Sequence, residues 1–319
     1  MNNTPIVISG SIAIDRIMSF NGTYRDHIRS DKLDTLSISI FLDTQQDAYG
    51  GVGANIAYSL ALLGKEPFLV GSTGPDAVTY MENLAHVGVN ITHVFESKLP
   101  TAAFNVITDA DQNQVGGFYP GAMFDSDSLT FKPWKNASPI VVISPHDPKA
   151  MRRQVQECRQ WGLRLCYDIG QQVSNLSGED MAQGVQVAEM LILNEYELGV
   201  LSQKTGLAPE KIKQTIPIVI TTLGKNGSVI EGSKIDKPIK VGIAEPNKLA
   251  DPTGAGDAFR AGFLYGFVHN WPLAVSAQLG AVTASFAIEA VGTQNHSFTI
   301  DTVKTRYTKA FGSELPAED

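Results

Sequence analysis

The 319-residue chain predicts an α/β protein with a mostly parallel central sheet, helices on both faces and a small additional β-sheet. Three observations predict it. Short apolar runs suited to strands buried on both faces recur along the chain. They alternate with stretches of helical periodicity. Two segments then break the alternation with period-2 and hairpin patterns.

The first strand is read in Ile6-Val7-Ile8-Ser9-Gly10. Similar runs follow at Phe68 to Gly71, Ile140 to Ser144, Arg164 to Asp168, Met190 to Leu193 and Ile218 to Thr222. Helical patterns lie near 53–64, 75–87, 148–161, 194–203, 254–269 and 271–290. Leu36-Ser37-Ile38-Ser39-Ile40 alternates apolar and hydroxyl side chains, as a half-buried strand does. Ala102 to Thr108 and Gln114 to Tyr119 flank Asp109-Ala110-Asp111-Gln112-Asn113 and read as a hairpin. These pieces form either a small sheet of their own or an edge of the main one. No internal repeat divides the chain, so residues 1–312 are expected to form one domain, with 313–319 a frayed tail.

Composition bounds the function. With 43% hydrophobic and 18% charged residues, the chain can bury a large core. A formal net charge of −8 and no Lys/Arg cluster argue against nucleic-acid and anionic-membrane partners. An anionic substrate must then be held by local donors and Mg²⁺. Cys158 and Cys166 lack metal-ligand spacing and are expected to be reduced cytosolic thiols. The start Met1-Asn2-Asn3-Thr4-Pro5 lacks signal-peptide features, and no run of about 18 apolar residues suits a membrane span. A cytoplasmic protein is expected.

The most informative stretch is Asp251-Pro252-Thr253-Gly254-Ala255-Gly256-Asp257, which runs into an apolar helix. A first helical turn has free N–H groups and a partial positive charge, which suits an anion. Glycines at 254 and 256 allow close approach of that anion. Asp257 beside such a cradle suits a base in phosphoryl transfer to a hydroxyl. Upstream, Gly50-Gly51-Val52-Gly53-Ala54-Asn55 leads into another helix. It lacks the third glycine and the preceding strand of a dinucleotide fingerprint. Asp15 follows the first strand, where ligands collect in open α/β sheets. Asn194-Glu195-Tyr196-Glu197 follows another strand; it reads as a capping box and also offers oxygens for a hydrated Mg²⁺. Thr221-Thr222-Leu223-Gly224-Lys225-Asn226-Gly227-Ser228 forms a glycine turn, and no P-loop occurs.

Taken in order, these motifs resemble those of the PfkB (ribokinase-like) carbohydrate and nucleoside kinases over residues 9 to 292. The resemblance implies a ribokinase-like three-layer αβα core with a small β-sheet lid, its elements at about 16–48 and 97–121. It implies an ATP-dependent kinase with Asp257 as base and the backbone of Gly254, Ala255 and Gly256 as anion hole. Asp15, Gly50, Gly51 and Asn55 would bind the sugar, and Asn194, Glu197, Thr222, Gly224 and Gly227 the Mg²⁺–ATP. Asp251, Thr253, Ala287, Ala290 and Gly292 match a monovalent-cation site, with K⁺ the expected ion. Gly117-Phe118-Tyr119-Pro120-Gly121-Ala122-Met123 and Asp168-Ile169-Gly170-Gln171 look like bacterial adenosine-kinase-type members. Lid aromatics Phe104 and Phe118 would suit a purine, so adenosine is the first expected acceptor. Ribose, fructose, another nucleoside, or a non-catalytic nucleoside sensor are the alternatives. A monomer or a homodimer through the lid is expected.

Overall fold

Alternation of apolar side chains along the central strands sends them into two separate cores, and this fixes three layers. The computed structural model describes residues 4–28, 34–35 and 37–317. In chain order the strands begin with β1 (Ile6–Ser9), β2 (Ala13–Ser19), β3 (Thr44–Gly50), β4 (Phe68–Thr73), β5 (Asn90–Glu96), β6 (Ala102–Thr108) and β7 (Gln114–Tyr119). They continue with β8 (Ile140–Ile143), β9 (Arg164–Tyr167), β10 (Met190–Asn194), β11 (Ile218–Thr222), β12 (Ser228–Glu231) and β13 (Ile239–Val241). The helices are α1 (Tyr24–His27), α2 (Val52–Leu62), α3 (Val78–Val87), α4 (Pro148–Trp161) and α5 (Gly178–Val187). They are followed by α6 (Glu195–Thr205), α7 (Pro209–Thr215), α8 (Ala255–Val268), α9 (Leu273–Ala287) and α10 (Ile300–Phe311).

The main sheet has nine strands in the order β13-β12-β11-β10-β9-β8-β1-β4-β5. Its pairs are parallel from β11 to β5, while β12 and β13 add antiparallel strands at one edge. Ile6, Ile8, Ile140, Val142, Met190 and Ile192 enter one core with side chains of α2, α3, α8 and α9. Val7, Val141, Ile143, Leu191 and Leu193 enter the other with α4, α5, α6 and α7. Cys158 and Cys166 are free, buried and on opposite faces of this sheet, so no disulfide links them.

The second sheet has the order β3-β2-β6-β7. The hairpin expected at 102–119 is present as β6 and β7. Asp15, which follows β1, lies within β2, the central strand paired to both β3 and β6. One expectation is corrected. Ser37 to Ile40 form no strand, and Leu36 lies outside the described residues. The edge is supplied instead by Thr44–Gly50, whose first four residues are exposed. Its partner, not its own apolar pattern, makes it a strand. The tail expected to fray places Leu315 half-buried against the first core, while residues 318–319 lie outside the described residues.

Helices α8 and α9 pack through small residues. A Cβ on Gly262 would meet Leu279 O at 2.7 Å, and one on Gly280 would meet Phe259 O at 2.8 Å. Gly262→Ala should therefore lower unfolding free energy by about 1–3 kcal/mol, because rigid backbone must move to admit the methyl group. Urea denaturation at constant m-value checks it; an unchanged midpoint would contradict the close-packed seam.

Candidate active site

The site is built where α2 and α8 start, at the C-terminal edge of the parallel strands, as open α/β sheets favour. Gly254 caps α8 with φ +81°. That left-handed turn favours glycine, and a Cβ there would press on Thr293 at 3.1 Å. The Ala258 N–H closes the first turn on Gly254 O at 3.0 Å, so the amides before it face the helix end. Gly254, Gly256 and Asp257 line a cavity of about 380 Å³. Ala255 is not on its wall, and its N–H makes a 3.3 Å turn bond to Pro252 O.

Asn55 Nδ2 donates to Asp257 Oδ2 at 2.8 Å, joining the two helix starts. Asn55 Oδ1 accepts from Gln294 Nε2 at 2.8 Å and lies 3.0 Å from Thr293 Oγ1. Gln294 also donates to Tyr80 Oη, whose hydroxyl donates to Gly50 O at 2.7 Å. A free Asn amide offers a sugar both a donor and an acceptor. The acceptor is engaged within the protein, and the second Nδ2 proton is what Asn55 presents.

Asp15 reaches the same cavity from β2. Gly50 makes room for it, since a Cβ there would meet Asp15 Oδ2 at 2.5 Å. Gly51 lines the cavity with φ +93°. Burial, and then the charges of Asp257 and Asp251, push the Asp15 carboxyl up to about 6. Burial also raises Asp257; the Arg260 guanidinium and the Asn55 hydrogen bond pull it back down.

Arg260 and Asp168 are site residues that the sequence reading did not assign a role. Arg260 Nη2 donates to Asp168 Oδ1 at 2.7 Å, and its Nη1 lies 3.8 Å from Asp257 Oδ1. The available signal was an arginine inside an otherwise apolar helix, because a buried charge needs a partner.

Phe104 and Phe118 face each other across β6 and β7 and both line the cavity, 39% and 50% exposed. Glu197 lines it from α6. Asn194 and Glu197 form a reciprocal capping box, each N–H bonded to the other side chain at 2.8 Å. Thr222 pairs with Asn194 at the ends of β11 and β10, and Gly224 and Gly227 turn the chain beyond with φ +56° and +83°. These three residues sit along the strand ends but outside the cavity lined by the carboxylates.

Asp251 fastens the loop before α8. Its oxygens accept from Thr253 N at 2.9 Å and Gly292 N at 3.0 Å. Burial works against ionisation there, yet these bonds hold the carboxyl below its usual range. Ala287 ends α9, and its carbonyl accepts from Ala290 N at 3.3 Å. A larger groove of about 1080 Å³ lies between α10 and the chain end, but it shares no residue with the carboxylate cluster. Chemistry, not volume, places the site. Among the described residues no helix is long and apolar enough to cross a membrane.

A family model described as pfkB family carbohydrate kinase matches residues 17–300. The nucleoside kinase of Methanothermobacter thermautotrophicus is 30% identical over 296 residues, covering 91% of this chain and 94% of that protein. The nucleoside kinase of Burkholderia thailandensis, solved in complex with inosine, superposes with TM-score 0.86 at 29% identity, covering 98% of this chain and 100% of that one. Its complex with ADP-inosine gives TM-score 0.84 at 30% identity, covering 98% of each chain.

The raised Asp15 carboxyl has a stability consequence. The folded state binds more protons than the unfolded state between the ordinary value of 3.8 and about 6, so this group's contribution falls as pH rises through that window. Asp15→Asn should raise Tm above about pH 7 and leave it nearly unchanged near pH 4. Equal shifts at both pH values in thermal scans would overturn the assignment.

Proposed function

The chain belongs to the pfkB family of carbohydrate kinases and is an ATP-dependent carbohydrate or nucleoside kinase; from that premise we propose that it phosphorylates the primary 5′-hydroxyl of a purine nucleoside, adenosine or inosine. One observation carries the reading. Asp257 at the α8 start and Asp15 of the small sheet face one cavity that Phe104 and Phe118 also line. The nucleoside-kinase relative and the inosine bound by the Burkholderia enzyme support the choice of acceptor.

In this reading Asp15 accepts hydrogen bonds from the ribose diol, the backbone at Gly51 approaches the sugar, and the free Nδ2 proton of Asn55 adds a donor. Gly50 acts indirectly, by leaving room for Asp15. The purine stacks on Phe104 and Phe118, and the small sheet serves as the lid that excludes water. Asp257 takes the 5′-hydroxyl proton as that oxygen bonds to the γ-phosphorus and the bond to ADP breaks. The α8 start stabilises the charge that develops on the phosphoryl group, through the amides at Gly254, Gly256 and Asp257. The weakly bonded Ala255 amide backs that turn.

Thr222, Gly224 and Gly227 would follow the nucleotide along the strand ends, with Asn194 and Glu197 beside its phosphates. Among the described residues no group of three or more His, Cys, Asp or Glu could hold a metal ion. Glu197 on the cavity wall would hold, through water, a Mg²⁺ that would keep most of its waters and screen the triphosphate. For a monovalent ion, the ionised Asp251 carboxylate and the carbonyls near Ala287, Ala290 and Gly292 are a suitable oxygen set, with Thr253 adjoining. Such an ion would steady the loop before α8.

Phosphorylated product should form from ATP with adenosine or inosine in a panel of nucleosides and sugars. Turnover of ribose or fructose without any nucleoside would refute the acceptor. Phe104→Ala and Phe118→Ala should each weaken nucleoside binding by about 1–3 kcal/mol, read as KM, if the rings stack on the base. Asp257→Asn should keep nucleotide affinity but lose about 10²–10⁴-fold in kcat, and near-wild-type turnover would sink the base assignment.

A further inference from the structure

Arg260 is the one cationic side chain lining the cavity among the described residues, against the carboxylates of Asp15, Asp168, Glu197 and Asp257. It sits one turn beyond Asp257 on α8 and is 8% exposed. Its guanidinium bridges two elements. Nη2 donates to Asp168 Oδ1 at 2.7 Å, at the end of β9, and Nη1 stands 3.8 Å from Asp257 Oδ1. A Cβ on Gly256 would come within 2.8 Å of Nη1, so the guanidinium lies against the backbone of the phosphate-facing turn. Asp168 is itself fixed, its N–H bonded to Ile143 O at 2.9 Å. It is fully buried, and its Oδ2 has no hydrogen-bond partner.

Desolvation offsets much of the attraction in a buried ion pair, which often adds no stability over a well-packed apolar pair. We propose that Arg260, anchored by Asp168, is a positioning residue that holds the Asp257 carboxylate in its charged form and fixed in direction for the acceptor hydroxyl. This rests on the reading of Asp257 as the base. Several charged groups surround Asp257. Glu197 from α6 disfavours its ionisation, and Asp15 from β2 is itself raised by the Asp257 charge. Asp251 lies in the preceding loop, and Asp168 stands behind the guanidinium. Asn55 from α2 is neutral and contributes one hydrogen bond. Among the described residues Arg260 alone supplies opposite charge there. A planar fork can meet two carboxylates at once; an ammonium is a point charge on a thinner stem.

Removing Arg260 alone would leave Asp168 buried and unpaired, so the test pairs Arg260→Met with Asp168→Asn and keeps Arg260→Lys as the conservative variant. The Asp257 carboxyl is followed by ¹³C NMR in Asp-labelled, ligand-free protein, with Asp257→Asn assigning the resonance. Its titration should move to higher pH in the double variant and part-way back in Arg260→Lys. With ATP and adenosine or inosine, the acid limb of kcat/KM should move the same way, and the loss near pH 6 should exceed that near pH 9 about tenfold. An unmoved Asp257 titration in folded double variant overturns the proposal. If the titration moves but Asp257→Asn still turns over, the electrostatic role stands and the base reading fails.

Discussion

The hydrogen bond from Asn55 to Asp257 ties together residues 202 positions apart, and the rest of the site is arranged around it. It can form only if α2 and α8 begin side by side at the same edge of the main sheet. Each start needs close backbone approach. Gly53 lies where a Cβ would fall 2.7 Å from Gly10 Cα, and Gly256 leaves room for the Arg260 guanidinium. The small-residue seam between α8 and α9 then holds the second start in place. Fold and site are set by the same contacts: glycines that let main chains meet also bring the carboxylate to the helix end.

The electrostatic balance at that point is narrow. Carboxylates crowd a cavity in a chain of net charge −8, yet the reaction brings a polyanion to it. Helix amides supply much of the positive potential without adding a side-chain charge. Arg260 supplies the rest locally. In the proposed reaction, this division would keep the α8 turn attractive to phosphate while leaving Asp257 able to take a proton.

Much of this was legible in the chain. β1, β8, β10 and β11 announce themselves because strands buried on both faces must be apolar throughout. The glycine turns before α2 and α8 are legible because positive φ and close approach leave few other residues possible. What escaped depends on distant partners. β3 is nearly all polar and is a strand only because β2 pairs with it. β2 is separated from β1 by only three residues, and its register with β6, about 90 positions away, cannot be seen locally. Arg260 and Asp168 meet across 92 positions, and nothing near either one names the other. The engagement of Asn55 by Gln294 is likewise a product of the fold, since the two lie 239 positions apart.

Phe104 and Phe118 stand opposite each other on a sheet that is otherwise open to solvent along β7. Both rings keep apolar surface in water. A flat ligand that covers them removes that surface and its own at once, so association there carries a negative heat-capacity change. Its enthalpy therefore grows more favourable with warming while its entropy grows less so, and affinity changes with temperature far less than either does.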